Sequence, residues 1–353
     1  MLYLRHMNLL PILSFCLLLQ LSACRYTPPP PLPQMELMRG VNWVAADTVT
    51  LEQLQKAKDH GVEWIAQTPF GWQKNHNTPE LAFSSQRGYW GERDEGLIQT
   101  TQLARSIGLK TLLKPHIWLR NNKDGAWVGS IKMTSEEDWK TWFQNYRTMM
   151  LHYARLADSM QIEAVCIGTE LHMAAVERPR DWRQLIKDIR QVYRGKLTYA
   201  ANWSDEFEDI EFWDDLDFIG VQAYFPLSKK PAPTLSDLLK AWEPHVKTIE
   251  KLQRKFNKPV VFTEVGYRNI PHAAAEPWTW PSRGQATEPE DPATQERLYE
   301  AMYRTFWQKP WFRGTFIWKW YPHVRENGRA RRDFTPQGLP AAQVMARYYK
   351  AGK

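Results

Sequence analysis

The feature that most constrains the fold of this chain is a repeated alternation of strand-like and helical segments. Eight short apolar runs have strand character, and the segments between them carry apolar residues at three- and four-residue spacing, as amphipathic helices do. The predicted strands cover 38–45, 62–67, 110–119, 162–171, 197–203, 218–224, 259–267 and 315–320, and the predicted helices cover 51–60, 96–107, 136–160, 180–193, 235–256 and 294–309. Eight strands that alternate with helices predict an α/β fold, a single-domain (β/α)₈ TIM barrel over 38–353.

An open, doubly wound sheet is the alternative arrangement of such segments. A dinucleotide-binding version of that fold would carry Gly-x-Gly-x-x-Gly after its first strand, and this chain has no such motif there. The segment 204–217, between the fifth and sixth strands, is short and acidic, so the helix at that place is predicted to be stunted. The barrel remains the better prediction, and no second linker or internal repeat points to another domain.

The first 37 residues have the pattern of an export signal followed by a tether. Residues 1–23 contain Arg5 and an apolar run over 9–19, which is too short to span a membrane. The run closes on Leu21-Ser22-Ala23-Cys24, which resembles a bacterial lipobox, and this resemblance implies that Cys24 is lipidated; a plain secretory signal cut after Ala23 is the alternative. Four consecutive prolines make 24–37 a stiff spacer. We therefore expect an exported, lipid-anchored protein of the bacterial cell envelope, at the outer membrane, in a leaflet that the sequence does not specify.

Tryptophan is unusually frequent in this chain. It contains 18 Trp beside 14 Tyr and 14 Phe. A buried indole N–H needs a hydrogen-bond partner, so packing of the core does not by itself explain so many tryptophans. The excess favours rings that line a cleft and stack on flat apolar ligands such as sugar faces, with core packing as the alternative.

The charge pattern indicates no nucleic-acid partner. The net charge is +7, from 46 Lys and Arg against 39 Asp and Glu, and the basic residues are scattered apart from a short run at 329–332. A nucleic-acid-binding protein would show a basic face or a recognised motif, and neither is present in the sequence. An anionic membrane surface suits this charge at least as well.

Two glutamates are predicted to meet at one end of the barrel. In the run 164–170, alternation places Ala164, Cys166, Gly168 and Glu170 on the inward face, and the same reasoning turns Glu264 inward at the end of the seventh strand. The carboxyl ends of barrel strands form the active-site face of this fold. Two carboxylates that converge on one cleft are the apparatus of glycoside hydrolysis, although a buried ion pair is the structural alternative for either.

Three motifs resemble those of glycoside hydrolase family 113. They are Ile167-Gly168-Thr169-Glu170-Leu171, Phe262-Thr263-Glu264-Val265-Gly266-Tyr267 and Asp333-Phe334-Thr335-Pro336-Gln337-Gly338-Leu339-Pro340-Ala341, and the similarity extends over about 38–348. The resemblance implies a retaining β-1,4-mannanase, with Glu170 as the acid/base and Glu264 as the nucleophile. Most of the wider clan has Asn directly before the acid/base. This chain has Thr169, so the usual contact to the sugar 2-hydroxyl is not implied.

Other strand ends supply candidate substrate-binding residues. By the same resemblance, Tyr224 matches the position whose phenol hydrogen-bonds the nucleophile, and Trp320 matches the aromatic platform beneath the sugar. Further candidates, chosen because their side chains can hydrogen-bond or stack on a sugar, are Asn202, Trp203, His116, Lys114 and Trp43.

The residues favour a metal-free and cofactor-free hydrolase. Glu170 and His172 lie two apart, but the chain has no His-Glu-x-x-His signature for a metal and no Gly-x-Ser-x-Gly for a serine hydrolase. We therefore expect a retaining glycosidase that acts on β-linked hexose glycans, with mannan or manno-oligosaccharides first. The alternatives are the same apparatus acting on another β-glycan and a non-catalytic glycan-binding lipoprotein, which would need neither glutamate.

Overall fold

The computed structural model describes residues 31–121, 125–280, 288–324 and 330–351. The predicted signal peptide at 1–23 and the predicted lipidation site Cys24 lie outside these residues. No helix in the part of the chain that the structure describes is both long and apolar enough to cross a membrane.

Eight parallel strands close into a barrel. The strands within the described residues are β1 (Met38–Trp43), β2 (Trp64–Gln67), β3 (Phe70–Gln73), β4 (Leu81–Phe83), β5 (Lys110–Leu113), β6 (His116–Leu119), β7 (Ala164–Thr169), β8 (Lys196–Asn202), β9 (Ile219–Gln222), β10 (Val260–Val265) and β11 (Phe312–Trp320). The barrel order is β1-β11-β10-β9-β8-β7-β5-β2, while β4, β3 and β6 form a separate three-stranded sheet. Each predicted strand contributes one barrel strand, so the predicted (β/α)₈ barrel is confirmed.

Helices surround the barrel. They are α1 (Leu51–Asp59), α2 (Asp94–Ser106), α3 (Glu136–Ser159), α4 (His172–Glu177), α5 (Pro179–Arg190), α6 (Glu206–Asp209), α7 (Leu235–Phe256), α8 (Pro292–Phe306) and α9 (Pro340–Lys350). The six predicted helices correspond to α1, α2, α3, α5, α7 and α8. The four-residue α6 confirms the stunted fifth helix, whereas α4 and α9 were not predicted. Side chains of Thr50, Ser135, Thr234 and Asp291 cap the N-termini of α1, α3, α7 and α8.

The barrel interior follows the alternation expected from the sequence. Ala164 and Cys166 belong to a small buried cluster inside the barrel, together with residues such as Trp64 and Phe316. Val165 and Ile167 point the other way and join the large cluster between the strands and the helices. The inward face of β7 therefore carries small side chains, as a crowded barrel centre requires.

The predicted strand 110–119 is two strands. β5 ends at Leu113, and β6 begins at His116 and pairs with β3 outside the barrel, with Phe70 opposite His116 and Trp72 opposite Trp118. Pro115 lies at the break, and because proline has no N–H it cannot donate to a strand ladder. The chain thus leaves the barrel at Lys114 and builds an extra sheet over its carboxyl-terminal end.

The last residues of the predicted tether pack on the barrel. Met35 contacts the cluster inside the barrel, Leu32 and Leu37 contact the outer cluster, and the Glu36 carboxylate pairs with the Lys110 ammonium. Residues 32–37 of the predicted tether thus belong to the folded unit, which begins at Leu32. Burial of these apolar side chains against the barrel is the physical reason.

Candidate active site

Glu264 lies on β10, with 5% of its surface exposed. One of its carboxylate oxygens accepts a hydrogen bond from the Lys114 ammonium, and the other accepts one from the Tyr224 hydroxyl at 2.9 Å. Lys114 is itself fully buried, so the two opposite charges meet in a region that holds little solvent. The structure thus brings three of the predicted site residues into direct contact.

The surroundings of Glu264 favour its ionised form. Burial alone would raise the pKa of this carboxyl, but the charge of Lys114 and its hydrogen bond outweigh burial and hold the pKa below the usual value. His116 lies beside the pair, with its Nε2 atom 3.8 Å from Glu264 Oε1. Burial, aided by the Lys114 charge, lowers the pKa of His116 to about 3, so its ring is neutral at pH 7. Lys114 therefore supplies the positive charge next to Glu264.

Glu170 follows directly after β7, on the inward side of the barrel end. Its N–H donates to the carbonyl oxygen of Ala200 at 2.9 Å, and its backbone has a positive φ of 53°. The side-chain amide of Asn202, at the end of β8, donates to Glu170 Oε1 at 2.8 Å. Asn202 was predicted only as a further substrate-binding candidate, and the structure places its side chain in contact with Glu170.

The surroundings of Glu170 favour its protonated form. Burial, followed by the negative charge of Glu264, raises the pKa of Glu170 to about 7, against smaller opposing effects of Asn202 and Lys114. The pKa values of the two carboxyls are thus shifted in opposite directions by their different surroundings. Such a divided pair can supply a proton donor and a nucleophile at the same pH.

A third buried carboxylate, Glu206 on α6, supports the backbone and side chain around Glu170. Its two oxygens accept from the Tyr199 hydroxyl and from the Asn202 N–H, both at 2.5 Å. The Tyr199 oxygen in turn accepts from the N–H of Leu171 at 2.7 Å. Glu206 therefore holds Asn202 from one side and the residue after Glu170 from the other. It was missed because nothing in the acidic segment 204–217 distinguishes the buried carboxylate from its exposed neighbours.

Two predicted aromatic residues do not join the site. Val41 pairs with Ile317, but Trp43 pairs with Trp320, so β11 has one extra residue at this point. Such a bulge changes the phase of the alternation and turns the following side chain to the other face. Trp320 is 2% exposed, with its ring against His60, and Trp43 belongs to the outer cluster. The structure therefore does not support Trp320 as the sugar platform or Trp43 as a substrate-binding residue.

Other aromatic rings are better placed around the two glutamates. The ring of Trp318 is half-buried and lies 5.8 Å from the Lys114 ammonium, which itself contacts Glu264. Trp203, a predicted binding residue, stacks on Trp278 with ring centroids 5.1 Å apart. Trp278 is 41% exposed, so this pair presents an aromatic surface to solvent. Trp318 was missed because no local pattern indicates the bulge in β11.

A cleft of about 660 Å³ opens at the start of α4, two residues after Glu170 in the chain. Its lining includes His172 and Met173 at the start of α4, together with His76, Trp127 and Lys132. This volume lies within the usual range of ligand sites, about 300–1,000 Å³. Among the residues that the structure describes, no group of three or more His, Cys, Asp or Glu side chains is arranged to hold a metal ion.

Comparisons with known proteins identify the family and agree with the fold. The family model "Glycoside Hydrolase Family 113" matches residues 39–338. A solved structure described as a complex of a GH113 β-1,4-mannanase superposes with a TM-score of 0.76 at 24% identity, over 90% of this chain and 100% of that one. A GH113 β-mannanase from Alicyclobacillus acidocaldarius, in complex with ManMIm, gives a TM-score of 0.76 at 26% identity, over 90% of this chain and 98% of that one.

More distant structures share the fold alone. A β-glucuronidase from Ruminococcus gnavus has a TM-score of 0.59 at 12% identity, and this chain covers 50% of it. No functionally curated protein matches the sequence significantly. Because the family model spans most of the chain, this protein belongs to Glycoside Hydrolase Family 113.

Proposed function

We propose that this protein is a retaining glycoside hydrolase that cleaves β-linked hexose glycans, with β-1,4-mannan or manno-oligosaccharides as its substrates. The observation that carries the proposal is the pair Glu170 and Glu264, whose pKa values are shifted in opposite directions at the carboxyl-terminal end of one barrel. Membership of the family and similarity to the Alicyclobacillus acidocaldarius β-mannanase support mannan as the glycan.

In the first step, the ionised Glu264 attacks the anomeric carbon while the protonated Glu170 donates its proton to the departing glycosidic oxygen. This forms a covalent glycosyl–enzyme ester and releases the shortened glycan. Glu170, now ionised, then takes a proton from water as the water attacks the same carbon and restores the Glu264 carboxylate. Two inversions at that carbon leave its configuration unchanged.

Lys114 and Tyr224 prepare Glu264 for this role. Their hydrogen bonds, to different oxygens, hold the carboxylate in one orientation, and Lys114 keeps it ionised within a buried site. Asn202 orients Glu170 by donating a hydrogen bond to its Oε1, while burial and the charge of Glu264 keep Glu170 protonated. Each glutamate therefore has its own fixed partner, and burial and charge separate the proton donor from the nucleophile.

A panel of β-glycans tests the substrate. The chain without residues 1–24 should release reducing ends from β-1,4-mannan and from manno-oligosaccharides faster than from cellulose or xylan, and proton NMR of the first product should show the β-anomer. Faster cleavage of another β-glycan would show that this glycan, and not mannan, is the substrate. Binding of a glycan with no cleavage of any would instead establish the non-catalytic alternative.

The plot of kcat/KM against pH should be bell-shaped. Because Glu170 must be protonated and its pKa is raised to about 7, kcat/KM should fall as the pH rises through about 7, while protonation of Glu264 should lower kcat/KM only well into the acid range. The Asn202 hydrogen bond lowers the pKa of Glu170, so Asn202→Ala should move the alkaline limb to higher pH. An alkaline limb that stays in place would show that Asn202 does not act on the proton donor.

We also propose that Cys24 carries a lipid that anchors the protein in the cell envelope. The lipobox-like sequence over 21–24 supports this, and acyl chains contribute about 0.8 kcal/mol per buried CH₂ to membrane binding. Cys24→Ser should therefore move the protein from the membrane fraction to the soluble fraction, with its hydrolytic activity retained. A wild-type protein that fractionates as soluble would contradict the anchor.

A further inference from the structure

We propose that the outer face of the small sheet binds the glycan chain beyond the cleavage point. This face, called the aromatic strip, consists of Phe70 and Trp72 on β3 with His116 and Trp118 on β6. The inference rests on the proposed function for the class of its ligand, an uncharged β-linked hexose chain.

Strand pairing places the four rings on one face. Phe70 is opposite His116 and Trp72 is opposite Trp118, and residues two apart on a strand share a face. The ring centroids of Phe70 and His116 are 5.5 Å apart, and those of Phe70 and Trp118 are 6.2 Å apart. Three of the rings are therefore in contact, and strand pairing places Trp72 opposite Trp118 on the same face.

The opposite face of the sheet is fixed to α3. Gln73 is fully buried, and its Oε1 accepts a hydrogen bond from the indole N–H of Trp142 at 2.9 Å. A Cβ atom at Gly71 would lie 2.6 Å from the sulfur of Met149, so the helix and the strand are in close contact there. The sheet is thus a rigid support, and its aromatic face is the one left open.

Most of the Trp118 side chain is in contact with solvent and does not pack in the protein interior. It is 60% exposed, although indole is among the largest apolar side chains. Exposed apolar surface of this kind marks a binding site when it is continuous with other apolar groups. The half-buried Phe70 and Trp72 beside it provide that continuity.

The strip begins at the proposed catalytic centre. His116 Nε2 lies 3.8 Å from Glu264 Oε1, and Trp118 is two residues further along the strand, about 6.6 Å away. At the outer end, the Arg120 guanidinium lies 6.0 Å from the ring centroid of Trp72 and adds hydrogen-bond donors. Flat rings with polar groups at the edge match a sugar chain, which has apolar ring faces and hydroxyl edges. A chain whose reacting sugar contacts Glu264 can therefore continue onto the strip.

Calorimetric binding of oligosaccharides of increasing length tests the strip. Glu170→Gln protein, made slow to turn over its ligand, is titrated with β-1,4-manno-oligosaccharides from two to six sugars, and the same is done after adding Trp118→Ala. We expect affinity to rise with length in the first protein, and Trp118→Ala to weaken binding of the longest chain by about tenfold, equivalent to about 1.4 kcal/mol, with a smaller effect on the disaccharide. Trp72→Ala should act in the same way.

The control is Tyr348→Ala, which removes a half-buried aromatic ring from α9, in the helical layer. It should leave the length dependence unchanged. Equal binding of all lengths by Trp118→Ala and its parent would overturn the proposal. So would a dimer in gel filtration that Trp118→Ala dissociates without any change in glycan affinity, because the strip would then bind a second copy of the chain.

Failure of the proposed function gives a different result. If the wild-type chain hydrolyses no β-glycan, but its length-dependent binding is lost in Trp118→Ala, the strip stands and the catalytic proposal fails. If hydrolysis is normal and affinity does not respond to Trp118 or Trp72, the catalytic proposal stands and the strip fails.

Discussion

Glu264→Ala is expected to reduce turnover to background on every glycoside, because no covalent intermediate can form without the nucleophile. Glu170→Ala removes proton donation, so its effect should depend on the leaving group. Hydrolysis of a natural glycan should fall by about 10²–10⁴-fold, the usual contribution of general acid–base catalysis. An aryl β-glycoside with an acidic phenol needs no proton, so its glycosyl–enzyme should form and accumulate. Pre-steady-state release of the phenol measures this burst.

Azide distinguishes the two roles by stereochemistry. In Glu170→Ala, azide attacks the glycosyl–enzyme without needing a base, so turnover should recover and give the β-glycosyl azide. In Glu264→Ala, azide enters the space left by the carboxylate and should give the α-glycosyl azide. NMR of the products determines the anomeric configuration of each glycosyl azide. If the two variants gave the opposite anomers, the roles of Glu170 and Glu264 would be exchanged.

Glu208→Ala is the matched control for both variants. Glu208 is an exposed carboxylate on α6, in the same acidic segment as the buried Glu206. Its removal should leave kcat/KM within experimental error. Normal hydrolysis by Glu170→Ala and Glu264→Ala would show that the site lies elsewhere.

Lys114→Met is expected to impair both stability and catalysis. Removing one partner of a buried ion pair leaves an uncompensated charge and costs about 3–5 kcal/mol. Without Lys114, burial dominates at Glu264 and raises the pKa of its carboxyl, so the acid limb of the kcat/KM profile should move to higher pH. At neutral pH we expect kcat/KM to fall by about 10²-fold or more, the typical loss when a preorganised electrostatic contact is removed.

The stability of Lys114→Met should also depend on pH in the opposite sense from the wild type. In the wild type, the lowered pKa of Glu264 contributes stability above the ordinary carboxyl pKa, and this is lost as the pH falls through the lower folded value. In the variant the raised pKa makes the ionised form unfavourable, so stability should fall as the pH rises. Thermal unfolding at several pH values measures both trends.

Two further variants separate this effect from general damage. Lys56→Met breaks the exposed pair with Glu52 on α1, whose atoms are 2.9 Å apart, and such surface pairs contribute about 0–1 kcal/mol. The double variant Lys114→Met/Glu264→Gln replaces the buried charge by a neutral amide and should recover part of the stability that Lys114→Met loses. An unchanged acid limb in Lys114→Met would show that Lys114 does not tune the nucleophile.

The alternation of strands and helices was sufficient to predict the barrel, because hydrophobic periodicity is local and each element carries its own pattern. A period of two along their strands predicted Glu170 and Glu264 on the inward face. The pairing register of both strands shifts just before these residues, between Cys166 and Thr169 and between Phe262 and Glu264, so their final placement also depends on the neighbouring strands. The residues that contact these glutamates are distant from them in the sequence and could not be predicted in the same way. Lys114 and Tyr224 come from different strands, and their contacts with Glu264 depend on how the barrel closes.

The remaining features were decided by tertiary structure. The bulge in β11 turns Trp320 outward, and it arises from the register between β11 and β1, which lie far apart in the chain. Glu206 is buried because α6 and β8 enclose it. It is an acidic residue like its exposed neighbours, so residue type does not distinguish it from them. The aromatic strip needs β6 to leave the barrel and pair with β3. The sequence by itself therefore determined the barrel and predicted the two glutamates as its catalytic candidates, while long-range pairing and burial, which no local pattern encodes, decided the partners and surfaces around them.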